Sequence, residues 1–96
     1  MKTKKAKKKK TKTVSFVLRP DGTRSVIEGK PDLQTLQALV GGYIERVGRL
    51  SHYEVFCNED GKPKGLPVNY SATLLCYSLG WPVGDHLVGD IVFIVK

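Results

Sequence analysis

Long apolar runs are missing from this sequence, and so are paired cysteines and an apolar stretch behind the N-terminal lysines. Spanning a bilayer takes about 20 predominantly apolar residues, and no run approaches that, so no membrane association is expected. A secretory signal needs an apolar core after its charged start; here lysine gives way directly to an alternating pattern. Cys57 and Cys76 stand far apart with no Cys-x-x-Cys pair, which speaks against both a disulfide framework and a zinc site. Free thiols and an intracellular chain are the simplest expectation. Aromatic residues are also few, at 8%. The aromatic motif of RNA-recognition sheets is absent, and few basic residues flank Tyr53, Tyr70, Tyr77 or Trp81, so base reading is not expected of the domain.

What is abundant is lysine, and it is segregated. The chain opens "MKTKKAKKKKTKT", with Lys2, Lys4, Lys5, Lys7, Lys8, Lys9, Lys10 and Lys12. The other eight of the sixteen Lys and Arg follow Thr13, against all nine Asp and Glu, a net of −1. The formal charge of +7 is therefore carried by the first thirteen residues. Residues 1–13 have like charges and nothing apolar to bury, and are expected to form a disordered tail. Lysine ammoniums neutralise phosphate without reading bases, so this tail is the expected non-specific nucleic-acid-binding element. Nuclear import and plain solubility are the alternatives for it.

Residues 14–96 suit a single domain with one modest core. "TVSFVLRPDGTRSVIEG" alternates on either side of Pro20-Asp21-Gly22, the signature of a hairpin. In "KPDLQTLQALVGGYIERVG", residues Leu33, Leu36, Leu39, Val40, Tyr43, Ile44 and Val47 fall on one helical stripe. Asp32 is the expected N-cap and Gly48 the expected stop. Gly41 and Gly42 then lie mid-helix, where each costs about 1 kcal/mol against alanine, a cost that close approach of another backbone would explain. Tyr53 to Cys57 reads as a strand, and "NYSATLLCYSLG" as a short helix capped by Asn69 or Ser71, with Leu74, Leu75 and Leu79 inward. Ile91 to Val95 reads as a central strand buried on both sides. Phe16, Tyr43 and Phe93 are expected to face inward. The expected fold is a small α+β domain, β-β-α-β-α-β, with a mostly antiparallel sheet packed on one main helix.

Three separated runs, "LQALVGGYIERV", "NEDGKPKGLPVNYSAT" and "GDHLVGDIVFI", together resemble the domain-of-unknown-function 3846 family. That family is similar in its GGYIE-like helix, EDGK turn, LPxN…AT segment and terminal GDIVF strand. The resemblance covers roughly Val14 to Val95 and leaves the lysine tail outside. It implies a compact α+β domain of mobile-element or viral origin, and it implies no catalytic residues.

Chemistry-bearing clusters are sparse. Asp85, His86 and Asp90 in "VGDHLVGD" invite a metal or acid–base reading, but paired Gly-Asp steps suit turns leading into a strand. Cys57, Cys76, His52 and His86 offer Cys–His combinations only if the fold brings them together. No catalytic residue, metal or cofactor is expected. Asn69 before a helix is an N-cap, or presents its amide to a ligand at the helix's positive end. Gly41, Gly42, Glu45, Asn69 and Thr73 are the residues of a possible partner or ligand groove. Two function classes follow. The first is a non-enzymatic viral or phage-type accessory protein whose tail holds nucleic acid while its domain binds an unidentified protein partner. The alternative is a protein-interaction or virion component whose tail serves import or solubility. The compartment would be the nucleus in a eukaryotic host, otherwise the cytoplasm or a virion.

Overall fold

Turn chemistry sets the first element. In the computed structural model, which describes residues 14–96, Asp21 Oδ1 accepts the Thr23 amide at 2.9 Å and its hydroxyl at 2.7 Å. The Gly22 amide donates to the Arg19 carbonyl at 2.8 Å. This turn folds β1 (Ser15–Leu18) onto β2 (Arg24–Ile27), antiparallel, with Phe16 opposite Val26. The expected tail, residues 1–13 with all eight of its lysines, lies outside the described residues.

Helix α1 (Leu33–Val40) starts where expected: Asp32 accepts the Thr35 amide at 2.8 Å. It ends seven residues earlier than its apolar stripe predicts. Gly41 takes φ +80°, and the amides of Gly41 and Gly42 both return to the Gln37 carbonyl, at 2.9 and 3.0 Å. That left-handed step satisfies the last helical carbonyls and turns the chain out of the helix. The glycine pair is thus a terminator, and Gly48 is not. Tyr43, Ile44 and Val47 leave the helical stripe: Ile44–Leu50 is strand β3, and Tyr43 is 69% exposed rather than inward. The spacing of 3 and 4 that fits a helix also brings β-branched Ile44 and Val47 onto a pleated edge once a bulge intervenes between Arg46 and Gly48. The close approach expected of the pair is met by a side chain. A Cβ on Gly42 would stand 3.0 Å from Asn58 Nδ2, which donates to the Val40 carbonyl at 3.0 Å. Gly41 has open space around it, so its requirement is conformational alone. Gly41→Ala is expected to cost about 1 kcal/mol, read as a fall in melting temperature of about 4–8 °C, and Gly41→Asn less. Equal melting temperatures for wild type and Gly41→Ala would remove the terminator role.

The chain continues through β4 (Tyr53–Asn58), helix α2 (Tyr70–Ser78) and β5 (Ile91–Val95). Among the described residues the fold is α+β: one five-stranded, wholly antiparallel sheet in the order β2-β1-β5-β4-β3, with two helices. The added strand β3 makes the order β-β-α-β-β-α-β. β5 is central, and Ile91, Val92 and Phe93 are fully buried, as their unbroken apolar run predicts.

A helix on each face, rather than one main helix, explains that burial. Phe16, Leu18, Val55, Ile91 and Phe93 point to α2, which contributes Ala72 and Cys76. Val17, Val92 and Ile94 point to α1, which contributes Leu36 and Val40. Phe16 stacks on Phe93 at 4.8 Å, and Tyr53 meets both rings edge-on. The buried face of α2 is Ala72, Thr73 and Cys76. Leu74 is 65% exposed, contrary to the inward expectation, because small residues let the helix lie close on the aromatic layer and turn Leu74 away.

Candidate functional site

Helix α2 covers only part of its face of the sheet. Beyond its C-terminus, β3 and β4 floor a cleft of about 410 Å³ whose walls are the 58–63 turn, Trp81 and the 85–88 segment. Strand pairing places Glu45 opposite Cys57 on this floor. Trp81 stacks on Tyr77 at 5.7 Å and forms one wall. Lys62 pairs with Asp85 across the opening, both half-exposed. Asp85 also accepts the His86 amide at 2.8 Å. The Lys62 ammonium, then that amide, hold its carboxyl below the usual carboxylate range. The Asp85 carbonyl accepts the Tyr77 hydroxyl, tying the segment to α2.

The cleft is polar and of mixed charge, with Glu45, Glu59 and Asp85 against Arg46 and Lys62. Its one thiol, Cys57, is held in the protonated form at neutral pH. Burial pushes Cys57 up to about 11, the Glu45 carboxylate adding to the rise and Lys62 opposing it. Burial alone takes Cys76 to about 12. A thiolate is the nucleophile, so at neutral pH neither sulfur is activated. Alkylation of Cys57 by iodoacetamide at pH 8 is expected to run more than about 100-fold slower in the folded protein than in urea, given an unperturbed thiol near 8.5. Comparable rates would show an open, ionisable thiol. The stability sign is fixed too. Both thiols have folded values above their unfolded ones, so their contribution is complete below the unfolded value. It is lost as pH rises through about 11 and 12.

The five residues expected to line one groove are not brought together. Glu45 lies in the cleft. Gly41 and Gly42 end α1, on the other face of the sheet. Asn69 and Thr73 are buried in the first turn of α2. Asn69 Oδ1 accepts the Ala72 amide at 2.9 Å, the N-cap bond. Its Nδ2 donates to the Leu18 and Gly89 carbonyls, both at 2.9 Å. Thr73 Oγ1 donates to the Asn69 carbonyl at 2.8 Å and accepts the Leu87 amide at 2.9 Å. Every polar atom of the Asn69 side chain has a protein partner, and the side chain is fully buried, so it does not face a ligand.

Asp85 lies in the cleft while Asp90 leads directly into β5, and among the described residues no group of three or more His, Cys, Asp and Glu gathers as a metal site. Trp81 and Lys62 are among the cleft residues that sequence reasoning missed. The available signal was the pair of flanking turns, since loops beside a half-covered sheet are where open walls arise.

Fold and cleft together define a class: a small, two-helix α+β domain on an antiparallel sheet, with a polar cleft and no activated nucleophile among its described thiols. The chain belongs to the family described as a domain of unknown function (DUF3846), which matches residues 12–96. No curated protein and no solved structure matches it. The LPVNYSAT run of this chain has a physical meaning, because Asn69, Ala72 and Thr73 form the buried clip just described. The GGYIE run is a helix terminator leading into β3 rather than a helix. Among the described residues no helix is long and apolar enough to cross a membrane.

Proposed function

We propose that this is a non-enzymatic accessory protein of viral or phage type, in which residues 1–13 hold nucleic acid non-specifically while the domain engages a protein partner. One observation carries the reading: eight lysines precede Val14, and the rest of the chain is net −1. The domain's own cations support the division of labour. Arg46 and Lys96 both pair with Glu54, Lys62 pairs with Asp85, and Arg24 lies 4.5 Å over the Phe16 ring. The three ion-paired cations are partly neutralised before any phosphate approaches, and Arg24 is held on an aromatic face. The compartment that goes with this reading is intracellular: the nucleus in a eukaryotic host, otherwise the cytoplasm or a virion.

The test is titration of the intact chain and of residues 14–96 against duplex and single-stranded DNA over a salt series. Binding by the intact chain alone is the expected result. Equal binding by both would move the nucleic-acid surface onto the domain, and no binding by either at low salt would leave the lysines to import or solubility.

A further inference from the structure

Among the described residues the strand order leaves two edges, β2 and β3. Edge strands offer unpaired amides and carbonyls to any second strand, and natural sheets blunt them with bulges and charge. β3 is blunted in this way: a bulge falls between Arg46 and Gly48, and Glu45, Arg46 and Arg49 line it. β2 has no register shift, no proline and an exposed Val26.

The hairpin fixes which β2 groups face outward. The Arg19 amide donates to the Thr23 carbonyl at 2.9 Å, so that pair is hydrogen-bonded. Antiparallel pairs alternate between bonded and non-bonded. In the β1–β2 register, Ser25 and Ile27 therefore bond inward to β1, while Arg24 and Val26 direct their amides and carbonyls to the open edge. Glu28, the next residue in this alternation, continues the outward set. Their side chains share one face of the strand.

We infer that β2 pairs with β2 of a second copy of this chain about a twofold axis at Val26. Among the registers that match outward groups to outward groups, this one sets Val26 against the partner copy's Val26. It also sets Arg24 opposite Glu28, twice by symmetry. Sliding by one bonded pair in one direction replaces the charge pairing with Arg24 opposite Val26. Sliding further sets Arg24 against Arg24, and sliding the other way sets Arg24 against Lys30. Like charges directly opposite are destabilising, so charge selects the register. The contact is isologous and closes as a dimer, because the same edge serves both copies. Five strands from each copy then form one continuous sheet. The inference stands apart from the tail reading, since it uses only residues 24–30.

Sedimentation of the full chain from about 10 µM to 1 mM, in about 0.15 M salt where exposed charges are screened beyond roughly 8 Å, reads the dimer directly. Wild type is expected to self-associate within that range. Arg24→Glu and Glu28→Arg, each alone, are expected to raise the dimer dissociation constant about tenfold, from two attractive pairs turned repulsive. An equimolar mixture of the two variants is expected to recover association, because the two carboxylates on the edge of one variant then face the two guanidiniums on the edge of the other. Circular dichroism of each variant checks that loss of the Phe16 contact has not unfolded it. Val26→Pro supplies a second variant, removing an outward amide without touching the β1 ladder. A monomer throughout, or a dimer indifferent to both charge reversals and to proline, overturns the inference.

Discussion

Asn69→Ala is expected to lower the melting temperature by about 20 °C, the largest loss expected of any single substitution proposed for this chain. The side chain is fully buried and joins three parts of the chain that are distant in sequence. Truncation removes the N-cap of α2, a loss of about 1 kcal/mol. It also strands the Gly89 carbonyl away from water and removes one of two donors from the Leu18 carbonyl, which keeps its ladder partner in β5, and a buried group left unpaired costs about 1–3 kcal/mol. A total of about 3–4 kcal/mol in a domain of this size corresponds to the stated shift. Two further variants separate the parts. Asn69→Ser retains an acceptor for the cap and loses both donors, so it should fall between wild type and alanine. Asn69→Asp retains the cap but points a carboxylate oxygen at two carbonyls, and is expected to be no better than alanine. Thermal melts read all three, and a loss below about 5 °C for alanine would mean that water fills the space and that the clip contributes little.

Between 50 and 200 mM salt the intact protein is expected to lose up to about 10⁴-fold in affinity for duplex DNA. Eight lysines engaging phosphates displace counterions with a log–log slope of at most about −7, from roughly −0.9 per contact. No slope of that size is expected of residues 14–96, whose net charge is −1 and whose Arg46, Lys62 and Lys96 are already paired with carboxylates. Replacing four of the eight lysines with glutamine should roughly halve the slope without changing which sequences bind. A slope unchanged by that replacement would mean that the contacts lie elsewhere. Fluorescence anisotropy with duplexes of unrelated sequence reads both the slope and the indifference to sequence.

Much of the fold can be read locally because short-range hydrogen bonds and turn residues set it. Pro20-Asp21-Gly22 specifies the hairpin, Asp32 the start of α1, Asn69 the start of α2, and the unbroken run from Ile91 the central strand. The stretch from Gly41 to Leu50 reads wrongly for an identifiable reason. Apolar residues spaced by three and four fit a helix, and they fit equally well a glycine-terminated helix followed by a bulged strand. Only pairing with β4, a partner supplied by the next segment, decides between them. The same absence of partner information misplaces Leu74 and Tyr43, whose burial depends on which face of the sheet each helix takes.

The candidate site is less legible than the fold. Asn69 and Thr73 stand out in the sequence as special, but their polarity serves a buried clip joining Leu18, Leu87 and Gly89. Glu45 alone of the expected groove lines the cleft, and it does so because strand register sets it beside Cys57.

The sequence by itself determined the partition of charge, the α+β class, the hairpin and the caps, since each depends on residues within a few positions of one another. Tertiary structure alone decided that a helix lies on each face, that Trp81, Lys62 and Asp85 wall a cleft, and that β2 is left as an open edge. Those features arise from pairings between distant segments, and such pairings follow from which surfaces bury each other best, a property of the whole chain that no local pattern contains.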